Sequence, residues 1–175
     1  LQGLTVAQAA ALTTAQVAAV LTAQVVALET ADLAAFTSAQ IVALGSDQVK
    51  ALTTEQIASL TTAQVAALEA SDFALLSTAQ IAALLTADIA ALTTAQVVAL
   101  TTQQANALSS AQVAALTTVQ IVQLQAADLA ALTTDAIVGL STAQVAELST
   151  AQVAALTTDQ LPAMESRDVA ALTTA

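Results

Sequence analysis

Large apolar residues recur along this chain with a period of eight. One column is leucine: Leu4, Leu12, Leu28, Leu44, Leu52 and onward every eight residues to Leu156 and Leu172, with Val20, Phe36 and Met164 standing in. A second column lies three residues earlier and holds Val17, Val25, Leu33, Ile41 and their successors to Val169. Residues three apart share one face of a helix, whereas on a strand they point to opposite sides. Alanine fills most of the space between the columns and favours helix over strand. The spacing therefore predicts helices, one in each octad.

Those helices must be short. Eight residues of continuous α-helix advance the leucine column by roughly 80°, so successive octads spread leucine around the whole cylinder and no seam forms. A Thr pair also interrupts each copy, as in Thr-Thr-Ala-Gln-Val-Ala-Ala-Leu at Thr61 to Leu68. Thr is a poor interior helix residue and a good N-cap, and Thr-x-x-Gln is the pattern of a capping box. N-caps are expected at Thr13, Thr53, Thr61, Thr93, Thr101 and Thr117. Where Asp replaces Gln, at Asp32, Asp72, Asp88, Asp128 and Asp168, the first Thr is missing and Glu29, Glu69, Leu85, Gln125 or Glu165 stands there instead. Because Asp caps helices too, the expectation is that each of these five carboxylates is the solvated cap of its copy, moved along the turn. Pro162 suits a first helical turn, with Thr158 or Asp159 as the cap.

A helix of five or six residues does not hold in water by itself. Each octad must bury its two apolar positions against other octads, which places Val17, Leu28, Phe36, Ile57, Leu68, Phe73, Leu100, Leu116, Leu132 and Leu156 in the core. The small residue before each leucine, such as Ala27, Ala67 or Gly139, permits close approach of backbones. The expected fold is all-α: an α-solenoid of very short capped helices, one per eight-residue repeat, running as a single continuous tract over residues 1–175 that reads as a segment of a longer chain. Handedness and the number of octads per coil stay open. Two octads per coil, stacked at the usual helix spacing of about 10 Å, would give a rod on the order of 110 Å. Asp32 and Asp72, and Asp88, Asp128 and Asp168, are spaced by 40 residues, which fits either duplication of a five-octad block or a superhelical repeat.

Composition narrows the chemistry. The chain has no Cys and no His, and its net charge is −11 with only Lys50 and Arg167 basic. Thiol nucleophiles and the usual soft metal ligands are missing, and the charge repels nucleic acid. Mean hydropathy is high at +0.79, yet Thr, Ser, Gln or Asp breaks every apolar run well short of the ~20 residues that a spanning helix needs. No membrane insertion is expected, and no cofactor or metal. Glu69 to Asp72 is the densest acidic cluster and reads as surface caps. Ala31 to Ala35 and Ala127 to Ala131 match a pentapeptide repeat of β-helices superficially, but the period of eight excludes that register. Departures from the repeat are scattered singly, so no catalytic constellation emerges and the chain is read as no enzyme.

The octads, for example Leu92 to Leu100 and Leu148 to Leu156, resemble the low-complexity tracts of very large secreted bacterial surface proteins of the adhesin or haemagglutinin-like kind. The resemblance implies an extracellular or cell-surface structural role. Leu1 and Leu4 at one end and Leu172 at the other match interior octads, so self-association end to end or laterally is expected. The leading expectation is a stiff stalk or a self-assembling surface filament. The alternative is a binding module whose Thr rows, such as Thr53, Thr61, Thr93 and Thr101, contact ice or a glycan surface.

Overall fold

The computed structural model describes residues 3–172. Among them the regular structure is helical throughout, in 21 helices of four to seven residues, with no strand. The chain forms two compact units, Leu1–Ala91 and Leu92–Ala175. The first contains α1 (Val6–Ala10), α2 (Thr14–Ala18), α3 (Thr22–Val26), α4 (Thr30–Ala34), α5 (Ser38–Val42), α6 (Ser46–Ala51), α7 (Thr54–Ser59), α8 (Thr62–Ala67), α9 (Ala70–Phe73), α10 (Thr78–Ala83) and α11 (Thr86–Ala91). The second contains α12 (Thr94–Ala99), α13 (Thr102–Asn106), α14 (Ser110–Ala115), α15 (Thr118–Gln123), α16 (Ala126–Ala131), α17 (Thr134–Ile137), α18 (Thr142–Ala146), α19 (Thr150–Ala155), α20 (Gln160–Ala163) and α21 (Ser166–Leu172).

The link between helices is short and needs no glycine. At a representative junction Leu60 ends α7 with φ −62°, ψ 143°, and Thr61 opens α8 with φ −76°, ψ 156°. Two extended residues thus reverse the chain without a left-handed conformation, and among the described residues only Gly3 has positive φ. This explains how a chain with three glycines makes so many turns.

Within each unit a helix packs against the one three places on: α1 on α4, α4 on α7 and α7 on α10 in the first unit, α12 on α15 and α15 on α18 in the second. Side-chain bonds reach four places back, from α5 to the end of α1, for example. A coil therefore takes between three and four octads, and the two-octad coil expected from the sequence is corrected. Two octads would leave too little room for both apolar columns to turn inward. With the longer coil they do: Val17, Ile57 and Phe73 are fully buried, and Leu28, Phe36, Leu68, Leu100, Leu116, Leu132 and Leu156 are buried with them. Each such side chain removed from water contributes about 1.5–3 kcal/mol before entropy is counted, which is what a helix too short to stand alone requires.

Candidate functional site

The Thr positions make the expected boxes. Thr13, Thr53, Thr61, Thr93, Thr101 and Thr117 are N-caps whose hydroxyls accept from the backbone N–H three residues on. In return the glutamine carbonyl oxygen accepts from the cap's own N–H, at 2.8 Å for Thr61 and Gln64. One residue does two jobs here, because the glutamine amide nitrogen points the other way.

That nitrogen reaches into the preceding coil. In the first unit Gln56 Nε2 donates to the carbonyls of Val25 at 2.8 Å and Leu28 at 2.9 Å, and Gln64 Nε2 donates to Leu33 at 2.9 Å and Phe36 at 2.7 Å. In the second, Gln152 Nε2 donates to Ile121 and Leu124, both at 2.7 Å, and Gln160 Nε2 to Leu129 at 2.9 Å and Leu132 at 2.8 Å. The targets always lie 31 and 28 residues back. They are the carbonyls at and just beyond a helix C-terminus, which no intrahelical donor satisfies. The amide is thus used at both ends, buried, and fully partnered. Sequence reasoning saw the glutamine only as a cap partner. The missed signal is that Glu, which completes a capping box equally well, never occupies this column: it holds Gln, five Asp, and Ala136. An acceptor alone does not suffice there; a donor is required.

The five Asp residues correct the expectation of moved, solvated caps. Asp32, Asp72, Asp88, Asp128 and Asp168 are all buried, and each sits inside its helix at the glutamine position. The cap positions of α4, α9 and α16 are Glu29, Glu69 and Gln125, and no side chain caps them. An N-cap needs non-helical backbone, and by the third helical residue the chain has already closed its first turn. The carboxylates find different partners. Ser46 Oγ donates to Asp72 Oδ1 at 2.6 Å, and Thr142 Oγ1 donates to Asp168 Oδ1 at 2.5 Å. Asp88 Oδ2 accepts from the Leu85 N–H at 3.0 Å, whereas Asp128 Oδ2 is buried without a hydrogen-bond partner. Burial pushes the carboxyls of Asp88 and Asp128 above the ordinary 3.8, in Asp88 against the opposing pull of that Leu85 bond.

Two further departures are local. In the octad of Pro162, Thr157 and Gln160 keep the reciprocal pair, at 3.0 and 3.2 Å, while the residue flanking α20 is Asp159, whose side chain makes no cap bond. Where Ala136 replaces the glutamine, α14 and α17 lie against each other and a Cβ on Gly139 would fall 2.1 Å from the Ser110 carbonyl oxygen. A small residue before the leucine is required there. Leu75, Gln123 and Glu147 are exposed at the same position of other octads, so close backbone approach is not a general property of that column.

The exposed surface is made of Asp47, Glu55, Gln103, Asp135, Asp159 and Arg167 after the Thr pair, and of an outer column that includes Val26, Val42, Lys50, Val98, Asn106 and Val122. Lys50 Nζ lies 2.8 Å from Asp47 Oδ1, and that bond and charge hold the Asp47 carboxyl below its usual value. Among the described residues no three His, Cys, Asp or Glu side chains gather as a metal site, and no helix is long and apolar enough to cross a membrane.

No curated protein and no solved structure matches the chain. A family model for the ALTTAQ repeat matches residues 25–62, 65–102, 81–118 and 121–158. Those segments cover well over half of the sequence and coincide with the octads whose caps and glutamines are described above. The chain therefore belongs to the ALTTAQ repeat family.

Proposed function

We propose that this chain is a non-enzymatic structural repeat, a stiff stalk or filament segment at the surface of a bacterial cell, of the kind used by adhesins. The observation that carries the reading is the glutamine ladder. It spends the polar side chains of nearly every octad on holding one coil to the next, and leaves no cleft in which different chemical groups converge. A solenoid held this way resists bending because each coil is fixed to its neighbour by both apolar burial and directed bonds. The Thr hydroxyls of Thr53, Thr61, Thr93 and Thr101 are engaged in caps, which favours the structural role over a Thr surface reading ice or glycan.

Small-angle scattering tests the stiffness: a constant narrow cross-section with length proportional to octad number supports a spacer, and a flexible-coil profile removes it. Antibody labelling of intact cells tests the location, with labelling only after permeabilisation as the result that overturns a surface role.

A further inference from the structure

We infer that the two end coils form a polar, head-to-tail interface with a second copy of this chain, made by the same glutamine bonds that join coils inside it. The inference deepens the structural reading and rests on it. Gln8, Gln16 and Gln24 hold the ladder position but are exposed. Their carbonyl oxygens are used by the N–H groups of Thr5, Thr13 and Leu21, and among the described residues their amide nitrogens have no acceptor. From Gln40 onward every glutamine in this column is buried. At the other end the carbonyls of Leu148, Leu156 and Met164 stand where those of Leu116, Leu124 and Leu132 receive Gln144, Gln152 and Gln160. Among the described residues no glutamine reaches them. Three donors stepping by eight residues at one end thus face three acceptors stepping by eight at the other.

The apolar columns show the same polarity independently. Leu4, Leu12 and Val20 are only half-buried, while the leucine column from Leu28 to Leu156 is buried, so this column is covered by a preceding coil. The other column behaves oppositely: Val17 and Val25 are fully buried, whereas Leu161 and Val169 are exposed, so it is covered by a following coil. One end lacks a cover for leucine and the other lacks a cover for valine. A second copy supplies both, with the geometry of an internal junction.

The test is the triple variant Gln8→Glu, Gln16→Glu, Gln24→Glu, studied by light scattering and negative-stain imaging over a concentration series. A carboxylate keeps the capping box and suits a helix N-terminus, so the helical circular dichroism should persist, but it has no donor for a carbonyl. The wild-type chain should lengthen with concentration and the variant should not. Added at one part in ten, the variant should shorten wild-type filaments several-fold, because its intact C-terminal face docks and its altered face ends growth. Val98→Thr, Val122→Thr, Val138→Thr, on the exposed outer column, should assemble like wild type. Growth of the triple variant equal to wild type, or loss of growth in the Val variant alone, overturns the proposal. A wild-type chain that stays monomeric at all concentrations also overturns it, and scattering on that monomer then shows separately whether the stiff-spacer reading stands.

Discussion

Replacing one interior ladder glutamine by glutamate separates the two jobs of that side chain. In Gln64→Glu the oxygen that accepts from Thr61 N–H is kept, so the cap survives. What is lost is the amide nitrogen, with its bonds to Leu33 and Phe36 carbonyls at 2.9 and 2.7 Å. Each such bond is worth about 0.5–1.5 kcal/mol net, and a buried group left without its partner costs about 1–3 kcal/mol. With two carbonyls orphaned and a carboxylate placed against them, the expected loss is about 3–5 kcal/mol. Gln16→Glu is the matched control, since Gln16 makes the same cap pair at 2.8 and 3.2 Å and no bond to another coil. There a negative charge in the first helical turn should be neutral or stabilise by about 0.3–1 kcal/mol. Urea unfolding followed by circular dichroism at neutral pH reads both. Lowering the pH should recover part of the Gln64→Glu loss, because a protonated carboxyl donates one bond. Equal midpoints for the two variants would refute the argument, since the cap alone would then account for the glutamine.

Four other outcomes follow from the same geometry. Gly139→Ala drives a Cβ to 2.1 Å from the Ser110 carbonyl oxygen and should cost about 1–3 kcal/mol by thermal melting, whereas Gly45→Ser, at an N-cap where a Cβ would meet only Gln48 Oε1 at 3.7 Å, should stabilise by about 0.5–1 kcal/mol. Because burial raises the Asp88 and Asp128 carboxyls, the folded chain binds those protons more tightly than the unfolded one. Their stabilising effect is then full below the ordinary 3.8 and is lost as pH rises through the folded values. Tm should accordingly rise on acidification from neutral toward pH ~4, and the double variant Asp88→Asn, Asp128→Asn should flatten that slope. Ser46→Ala removes the 2.6 Å donor to buried Asp72 and should lower stability by about 1.5–3 kcal/mol in chemical unfolding.

The helices and the inward columns were legible because periodicity alone decides them: Val and Leu three apart admit a helix face and exclude a strand face. The capping Thr residues were legible for the same reason, as the box is a local pattern. The coil length was not, because it depends on contacts 28 and 31 residues apart, and an eight-residue repeat looks identical at every multiple. The Asp residues misled because their chemistry as caps is local, while their burial is decided by the neighbouring coil. Only Asp72 and Asp168 meet a hydroxyl from it, and nothing around Ser46 or Thr142 in the sequence distinguishes those two partners from other octads.

The bonds that join coils step back 28 residues, which is not a whole number of octads. Neighbouring octads consequently face directions a little over a quarter turn apart, and a residue that appears in every octad is distributed to all sides of its unit. A flat one-sided surface would have to be spelled with alternating intervals of three and four octads. Asp32 and Asp72, five octads apart, lie toward nearly opposite sides of the first unit. Any patch that this repeat evolves for a ligand will therefore be invisible as an octad pattern, and it should be sought as a change recurring every 24 to 32 residues, the interval at which the helices that touch one another also recur.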